Sequence, residues 1–311
     1  MKNIVVIGSS NTDMVVKTLT LPRPGETVTG GEFFLAAGGK GANQAVAAAR
    51  LGAAVTFIAK VGADAFGDQA IVGYQKEGID TSSIGCEKGH ATGVALILVD
   101  QKGENLISVA SGANFQWSDA DLVRVHRVVE QAGIVVFQLE IPLHVVERLS
   151  QVAVDAGVPV LLDPAPATEL PEELLRNVSY LKPNEHEAEA INGIKVVDER
   201  TAARAAQQLL DRGVRKAVII TLGAKGALVL ERNGTPQLVS APKIQAADST
   251  AAGDAFTGAL AWQLNQGVDL FEAVRIANHV AALSVTRMGA QPSLPTRKEL
   301  DEFLIRAPGS D

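Results

Sequence analysis

The sequence predicts an α/β fold: a mostly parallel sheet with helices on both faces, plus a small second β-sheet acting as a lid. Three observations carry this. From residue 119 onward, short Val/Ile/Leu runs alternate with helix-length segments, the rhythm of βα units. Hydrophobic residues make up 47% of the 311 while aromatics make up only 4%, so the core must be Val, Ile, Leu and Ala. Two stretches, 14–35 and 93–109, fall outside the rhythm; their β-branched pieces, broken by Pro and Gly or by a turn, read as a separate small sheet. No long linker or internal repeat interrupts the chain, which is read as one domain over 1–311.

In order, Ile4 to Ile7 is a first buried strand, and the polar run Ser9-Ser10-Asn11-Thr12-Asp13 follows it as a turn or as ligand-facing residues. Val15-Val16, Thr27-Val28-Thr29 and Phe33-Phe34-Leu35 are short strand pieces. The glycine-rich loop Gly38-Gly39-Lys40-Gly41-Ala42-Asn43 then leads into an alanine-rich helix from Gln44 to Gly52. Val55 to Val61 is a second buried strand, and Asp64 to Glu77 a helix stopped at Gly78. Gly93 to Val99 and Leu106 to Val109 form a hairpin around Asp100 to Asn105. Helices then follow at 119–132, 143–156, 201–212 and from Asn184, with another ending at Asn177. Strands lie at 134–139, 158–162 and 217–222, the last followed by Ala227 to Glu231; Tyr180-Leu181-Lys182-Pro183 leads into the helix from Asn184, and helices at 253–266 and 270–288 close the fold.

Net charge is −7 with no Lys/Arg cluster, which sets aside general nucleic-acid binding. Cys86 is the single cysteine, so no internal disulfide forms and a reducing compartment is favoured. The N-terminal apolar run is too short for a signal peptide, and no stretch approaches the roughly 18 apolar residues of a membrane helix. A cytoplasmic protein is expected. Neither a Walker A loop nor a dinucleotide fingerprint is present, and His90, His126, His144 and His186 show no zinc-ligand spacing.

The chemistry concentrates in Ala247-Asp248-Ser249-Thr250-Ala251-Ala252-Gly253-Asp254, where small residues run into a helix opening at Gly253 or Asp254. Unpaired N–H groups and the positive end of a helix dipole suit a phosphate. A carboxylate beside them could take the proton of an attacking hydroxyl, or could simply complement the dipole. Glu140 ends a strand as a ligand for a polar substrate or as an ordinary loop acid. Asn184-x-x-Glu187 reads as a functional pair or as a capping box. Thr221 to Gly226 reads as a ligand loop or as a turn.

Gly38 to Ala53 resembles the N-terminal signature of the ribokinase (phosphofructokinase-B) sugar kinases, and Asp248 to Asp254 resembles their C-terminal signature. Asn184-Glu185-His186-Glu187 matches the family's Asn-x-x-Glu motif, and Val285 to Ser293 resembles the ribose-specific branch. Ser249 and Thr257 depart from the usual Thr and Asn, without removing a carboxylate or the glycine. The resemblance implies a Rossmann-like, ribokinase-like fold and ATP-dependent phosphorylation of a sugar hydroxyl, ribose at the 5-hydroxyl first, with deoxyribose, fructose or a nucleoside, or a catalytically silent sugar- or nucleotide-binding protein, as alternatives. It implies Asp254 as base and Ala251, Ala252 and Gly253 as anion hole. Asn11, Thr12, Asp13, Gly39, Lys40, Gly41, Asn43 and Glu140 would hold the sugar. Asn184, Glu187, Thr221, Gly223, Gly226, Gly253 and Asn278 would address ATP, with Glu187 near Mg²⁺. A K⁺ ion would sit by Asp248, Thr250, Ser284, Arg287, Gly289 and Ser293, several of them through backbone carbonyls. The lid would make a homodimer.

Overall fold

A computed structural model describes residues 2–306; Met1 and 307–311, included in the single-domain expectation, lie outside the described residues. In chain order the elements are β1 (Ile4–Ile7), β2 (Asn11–Lys17), β3 (Glu32–Gly38), α1 (Lys40–Arg50), β4 (Val55–Ile58), β5 (Lys60–Gly62) and α2 (Ala65–Lys76). There follow β6 (Gly85–Glu87), β7 (Gly93–Val99), β8 (Asn105–Ala110), α3 (Asp119–Glu130), β9 (Ile134–Phe137), α4 (Leu143–Asp155), β10 (Val160–Leu162) and α5 (Glu172–Asn177). The chain continues through β11 (Tyr180–Leu181), α6 (Glu185–Asn192), α7 (Glu199–Asp211), β12 (Ala217–Thr221), β13 (Ala227–Glu231) and β14 (Gln237–Val239). It ends with α8 (Ala252–Asn265), α9 (Leu270–Ser284) and α10 (Arg297–Arg306).

The main sheet has eight strands in the order β14-β13-β12-β11-β10-β9-β1-β4. Pairing is parallel from β12 through to β4 and antiparallel only at β13 and β14. Alternation along β1 divides the core: Ile4 and Val6 face one layer with α1, α2, α8, α9 and α10, while Val5 and Ile7 face the other with α3 to α7. Both faces are therefore dry, which is why these strands read as continuous apolar runs instead of alternating ones.

A second, small sheet, β3-β2-β7-β8, is present where a lid was expected. Phe33, Phe34 and Leu35 on β3, Leu96 on β7 and Leu106, Ile107 and Val109 on β8 are exposed there.

Several boundaries differ from expectation. Asn11, Thr12 and Asp13 are not a turn; they open β2, which pairs with β3 and β7 on its two sides. Thr27 to Thr29 forms no strand. α1 begins at Lys40, inside the expected glycine loop, because Gly39 at φ +90° breaks the chain direction just before it. Val55 to Val61 is two strands, β4 in the main sheet and β5 paired with β6. α9 stops at Ser284 rather than Met288, where the carbonyl of Val285 accepts from the N–H groups of Ala247 and Asp248. β6, β11, β14 and α10 were not read from sequence, and α10, not α9, closes the described chain. Among the described residues no helix is long and apolar enough to cross a membrane.

Candidate active site

Parallel pairing brings the C-terminal ends of β1, β9, β10, β11 and β12 to one edge of the main sheet, where ligands of open α/β sheets bind. Glu140 follows β9, Asp163 follows β10, Lys182 follows β11, and Thr221 ends β12. The first turns of α1 and α8 meet over this edge. The two helices pack closely because residue 258 is glycine: a Cβ there would come 2.6 Å from Ala47 Cβ and 2.8 Å from the carbonyl of Gln44.

Asp254 lies in the first turn of α8 and is only 5% exposed. Its Oδ2 accepts from Asn43 Nδ2 (2.9 Å) and its Oδ1 from Gln44 Nε2 (3.0 Å), so two side chains of α1 fix the carboxylate. Burial pushes this carboxyl above its ordinary value; Lys40 and the two amide donors pull it back only in part, and Asp163 adds to the rise. A carboxylate so placed is desolvated, oriented and a better proton acceptor than one in water. Ala251, entering the helix, sits in the left-handed region at φ +59°. This is unusual for a residue with a Cβ and characteristic of functional turns. Among the described residues, the N–H groups of Ala251, Gly253 and Asp254 meet no acceptor. That of Ala252, expected to join the anion hole, instead donates to the carbonyl of Ser249 at 3.2 Å, and the N–H of Asp254 stands free in its place.

On the neighbouring side lie the sugar candidates. Gly39 has no room for a side chain: its Cβ would come 2.8 Å from Asn11 N and 2.9 Å from Ser9 O. Gly41 likewise faces Ser9 N at 2.6 Å. Glu140 Oε2 accepts from the Lys40 backbone N–H (3.0 Å) and from the Ser9 hydroxyl, tying β9 to α1. Asn11, Thr12 and Asp13 open β2, so one side of the cleft comes from the small sheet. Burial, with Glu140 nearby, pushes Asp13 up to about 6. Burial draws the Lys40 ammonium down, but Asp254, Asp163, Glu140 and Glu187 together outweigh it and hold Lys40 above its ordinary value.

The nucleotide candidates are mixed. Asn184 and Glu187 do form a capping box: Asn184 Oδ1 accepts from the Glu187 N–H (2.8 Å), and Glu187 Oε2 accepts from the Asn184 N–H (2.8 Å). Glu187 is nonetheless 7% exposed and held above its ordinary value, first by burial and then by Asp163. Thr221 lies beside Asn184 through a parallel bridge, and Gly223 and Gly226 bend the following turn at φ +55° and +107°. Asn278 differs from expectation: its Nδ2 donates to the carbonyls of Val239 (2.9 Å) and Ser240, so it shapes the wall by holding the end of β14.

The cation candidates also divide. Asp248 Oδ1 accepts from Thr250 N and Oγ1 (2.9 and 2.6 Å) and Oδ2 from Gly289 N (2.7 Å), drawing two loops together. Burial raises the Asp248 carboxyl, but these donors outweigh it and leave the net shift downward. The side chains of Ser284 and Ser293 turn back to the carbonyls of Ala281 and Ala290, and Arg287 pairs with Glu299 on α10.

The structure adds residues the sequence reading passed over. Asp163 and Lys182 form a buried ion pair at 2.9 Å, with side chains 2% and 4% exposed. Removing one member of such a pair costs about 3–5 kcal/mol, since the other is left charged and dry. Gln44 Nε2 reaches both Asp254 and Asp163 Oδ2 (2.8 Å), and Gln138 Nε2 donates to Gln44 Oε1 (2.6 Å). Asn114 Nδ2 donates to Asn11 Oδ1 (2.7 Å) and so sets which way the Asn11 amide faces. Position at the end of a predicted parallel strand was the available signal for Asp163; Lys182 follows β11, which the sequence reading did not place.

Comparison with known proteins fits this geometry. A family model described as pfkB family carbohydrate kinase matches residues 1–297. The chain is 44% identical to a ribokinase of Haemophilus influenzae over 306 residues, covering 98% of this chain and 99% of that one. It is 41% identical to a ribokinase of Schizosaccharomyces pombe, covering 97% of each. Its structure is similar to that of an Arabidopsis thaliana ribokinase complexed with ribose and ATP, with a TM-score of 0.90, 34% identity, and coverage of 97% of this chain and 98% of that one.

Proposed function

This chain belongs to the pfkB family of carbohydrate kinases, and we propose that it transfers the γ-phosphoryl group of ATP to the 5-hydroxyl of D-ribose. The observation that carries the reading is Asp254. It is a buried carboxylate fixed by two amides of α1 and set beside N–H groups of α8 that no protein acceptor fills.

Asp254 accepts the hydroxyl proton while the sugar oxygen bonds to the γ-phosphorus. The bond from that phosphorus to the oxygen bridging the β- and γ-phosphates breaks, and ADP departs with the electron pair. The free N–H groups of Ala251, Gly253 and Asp254 lower the energy of the charge that builds on the transferring group. Asn11, Asp13, Glu140 and Asn43 supply paired donors and acceptors for the ring hydroxyls. A site built this way rejects analogues lacking a hydroxyl, because a buried partner would be left unmatched.

Mg²⁺ would accompany ATP and neutralise phosphate charge, with the Glu187 carboxylate near it; an oxygen ligand of this kind suits a hard cation. The loop drawn together by Asp248 offers backbone carbonyls, an oxygen-only set that suits K⁺, which would add positive potential beside the anion hole. Asp248, Thr250 and Gly289 would frame that ion, with Ser284, Arg287 and Ser293 acting through main chain alone. The exposed apolar face of the lid would join a second copy into a homodimer, and the enzyme would work in the cytoplasm.

A coupled assay for ADP release, run with ribose, 2-deoxyribose, fructose and adenosine in the presence of Mg²⁺, tests the reading. Ribose should give the highest kcat/KM, rising when K⁺ replaces a bulky organic cation. Turnover of adenosine but not ribose would overturn the assignment.

A further inference from the structure

We propose that Lys182 is a second catalytic residue, which donates N–H groups to the oxygens of the travelling phosphoryl, and that Asp163 is the residue that positions it. The inference rests on the kinase reading above and names a participant that reading does not use.

Lys182 leaves the end of β11 and is buried. Its Nζ lies 3.6 Å from where a Cβ on Gly253 would sit, so the ammonium stands against the first turn of α8. Among the described residues Asp163 is its one partner. An ammonium carries three donors and Asp163 can take one of them, so two face no protein acceptor beside the first turn of α8. At this place, an oxygen anion lying on the N–H groups of Gly253 and Asp254 completes them.

Asp163 is not free to serve as a mobile counter-ion. Its Oδ2 accepts from Gln44 Nε2 (2.8 Å) and Thr257 Oγ1 (3.2 Å) while its Oδ1 meets Lys182, so its position is fixed from both sides. Gln44 uses the same Nε2 to hold Asp254. The proton acceptor and the cation therefore hang from one carboxamide, at a spacing set by α1. Charge favours the same role. Glu140, Asp163, Glu187 and Asp254 crowd the edge, with Lys40 and Lys182 against them among the described residues, so an incoming phosphate needs a cation on its own side of the base. Lys40 opens α1 on the sugar side, and Lys182 stands at α8. In the step itself Lys182 keeps its protons: the sugar oxygen bonds to phosphorus, the bridging P–O bond breaks, and the hydroxyl proton goes to Asp254.

The test compares Lys182→Met, Asp163→Asn and the double variant Lys182→Met/Asp163→Asn, with kcat, both KM values and melting temperature measured for each. Lys182→Met should lose about 100- to 1,000-fold in kcat, as for removal of one transition-state donor, with ribose KM changed less than about threefold. Asp163→Asn should lose less, again in kcat rather than in ribose KM. The double variant removes both charges and leaves no unpaired buried ion, so it carries the test even where the single variants fold poorly. It should melt near the wild-type temperature and remain at least about 50-fold slow. Recovery to within about tenfold of wild-type kcat would show that Lys182 only neutralises Asp163, and would overturn the inference. In a Cys86→Ser background, Lys182→Cys treated with 2-bromoethylamine should regain activity; no gain on full modification would count equally against it. Should the wild-type protein itself fail to phosphorylate ribose, the kinase reading falls instead, and the two failures are told apart.

Discussion

α1 and α8 start side by side over the same sheet edge, yet their first turns are filled differently. At α1 the N–H of Lys40 goes to Glu140, that of Gly41 to the Ser9 hydroxyl, and that of Ala42 to the Ser9 carbonyl (2.9 Å). At α8 only Ala252 donates to the protein, and three neighbouring N–H groups stay open. The entry residues differ as well: Gly39 at φ +90°, where no Cβ fits, and Ala251 at φ +59°, which carries one. Both helices present the same dipole. What separates them is whether the chain satisfies its own donors. α1 is satisfied from within and contributes side chains, Lys40, Asn43 and Gln44, while α8 keeps its backbone for an anion.

The largest break in this contrast is to remove the acid. Asp254→Asn keeps the shape and loses the proton acceptor, so kcat should fall by about 10³-fold, within the range for a positioned base. Ribose and ATP affinities by calorimetry should stay within a few-fold. Unchanged turnover would mean that α8 supplies electrostatics alone. Next is Gly39→Ala, which forces a side chain into Asn11 N and Ser9 O. Ribose kcat/KM should drop about 100-fold, and urea unfolding should show a loss of about 1–3 kcal/mol, typical of backbone strain. An unaffected protein would show that the α1 entry can shift freely.

Acid then probes the lid side of the cleft. Asp13 must be ionised to accept from sugar hydroxyls, so ribose kcat/KM should fall about tenfold per pH unit below about pH 6. Stability should run the other way. A carboxyl raised from 3.8 to about 6 on folding favours the folded state most below 3.8, and that contribution is lost as pH rises toward 6. A pH series of melting curves on wild type and Asp13→Asn would show the difference, and identical slopes would remove Asp13 as its source. The smallest effect is expected for Ala251→Gly. Relief of left-handed strain and the gain in unfolded-chain entropy offset each other, leaving stability within about 1 kcal/mol of wild type. The kcat should fall less than tenfold; a larger loss would mean that the Ala251 Cβ itself helps to hold the turn.

What could be read from the sequence was what is local. Parallel strands of the main sheet were visible because both faces are buried, and the Asn184–Glu187 pair was visible because a cap spans four residues. α8 was placed to within a residue at each end, since small residues before an acid mark a helix start. The entry to α1 was misplaced by four residues, because glycine count says loop while the packing of Gly41 on Gly8 and Ser9 makes it helix. The Lys182–Asp163 pair and the Gln44 bridge escaped because they join β10, β11, α1 and α8, and no spacing along the chain records such a meeting. Ser284, Ser293 and Arg287 were grouped by family pattern, and no sequence spacing foretold their side-chain partners, two carbonyls within their own turns and Glu299 on α10.

A crystal structure with ribose, ADP, Mg²⁺ and aluminium fluoride, which imitates the phosphoryl in transit, tests the claim about α8 most directly. The account predicts the fluoride seated on the N–H groups of Gly253 and Asp254, with the sugar's 5-oxygen about 2.6–3.2 Å from an Asp254 oxygen. A fluoride lying away from that turn, or an Asp254 still bonded only to Asn43 and Gln44 with the 5-oxygen out of reach, would contradict it.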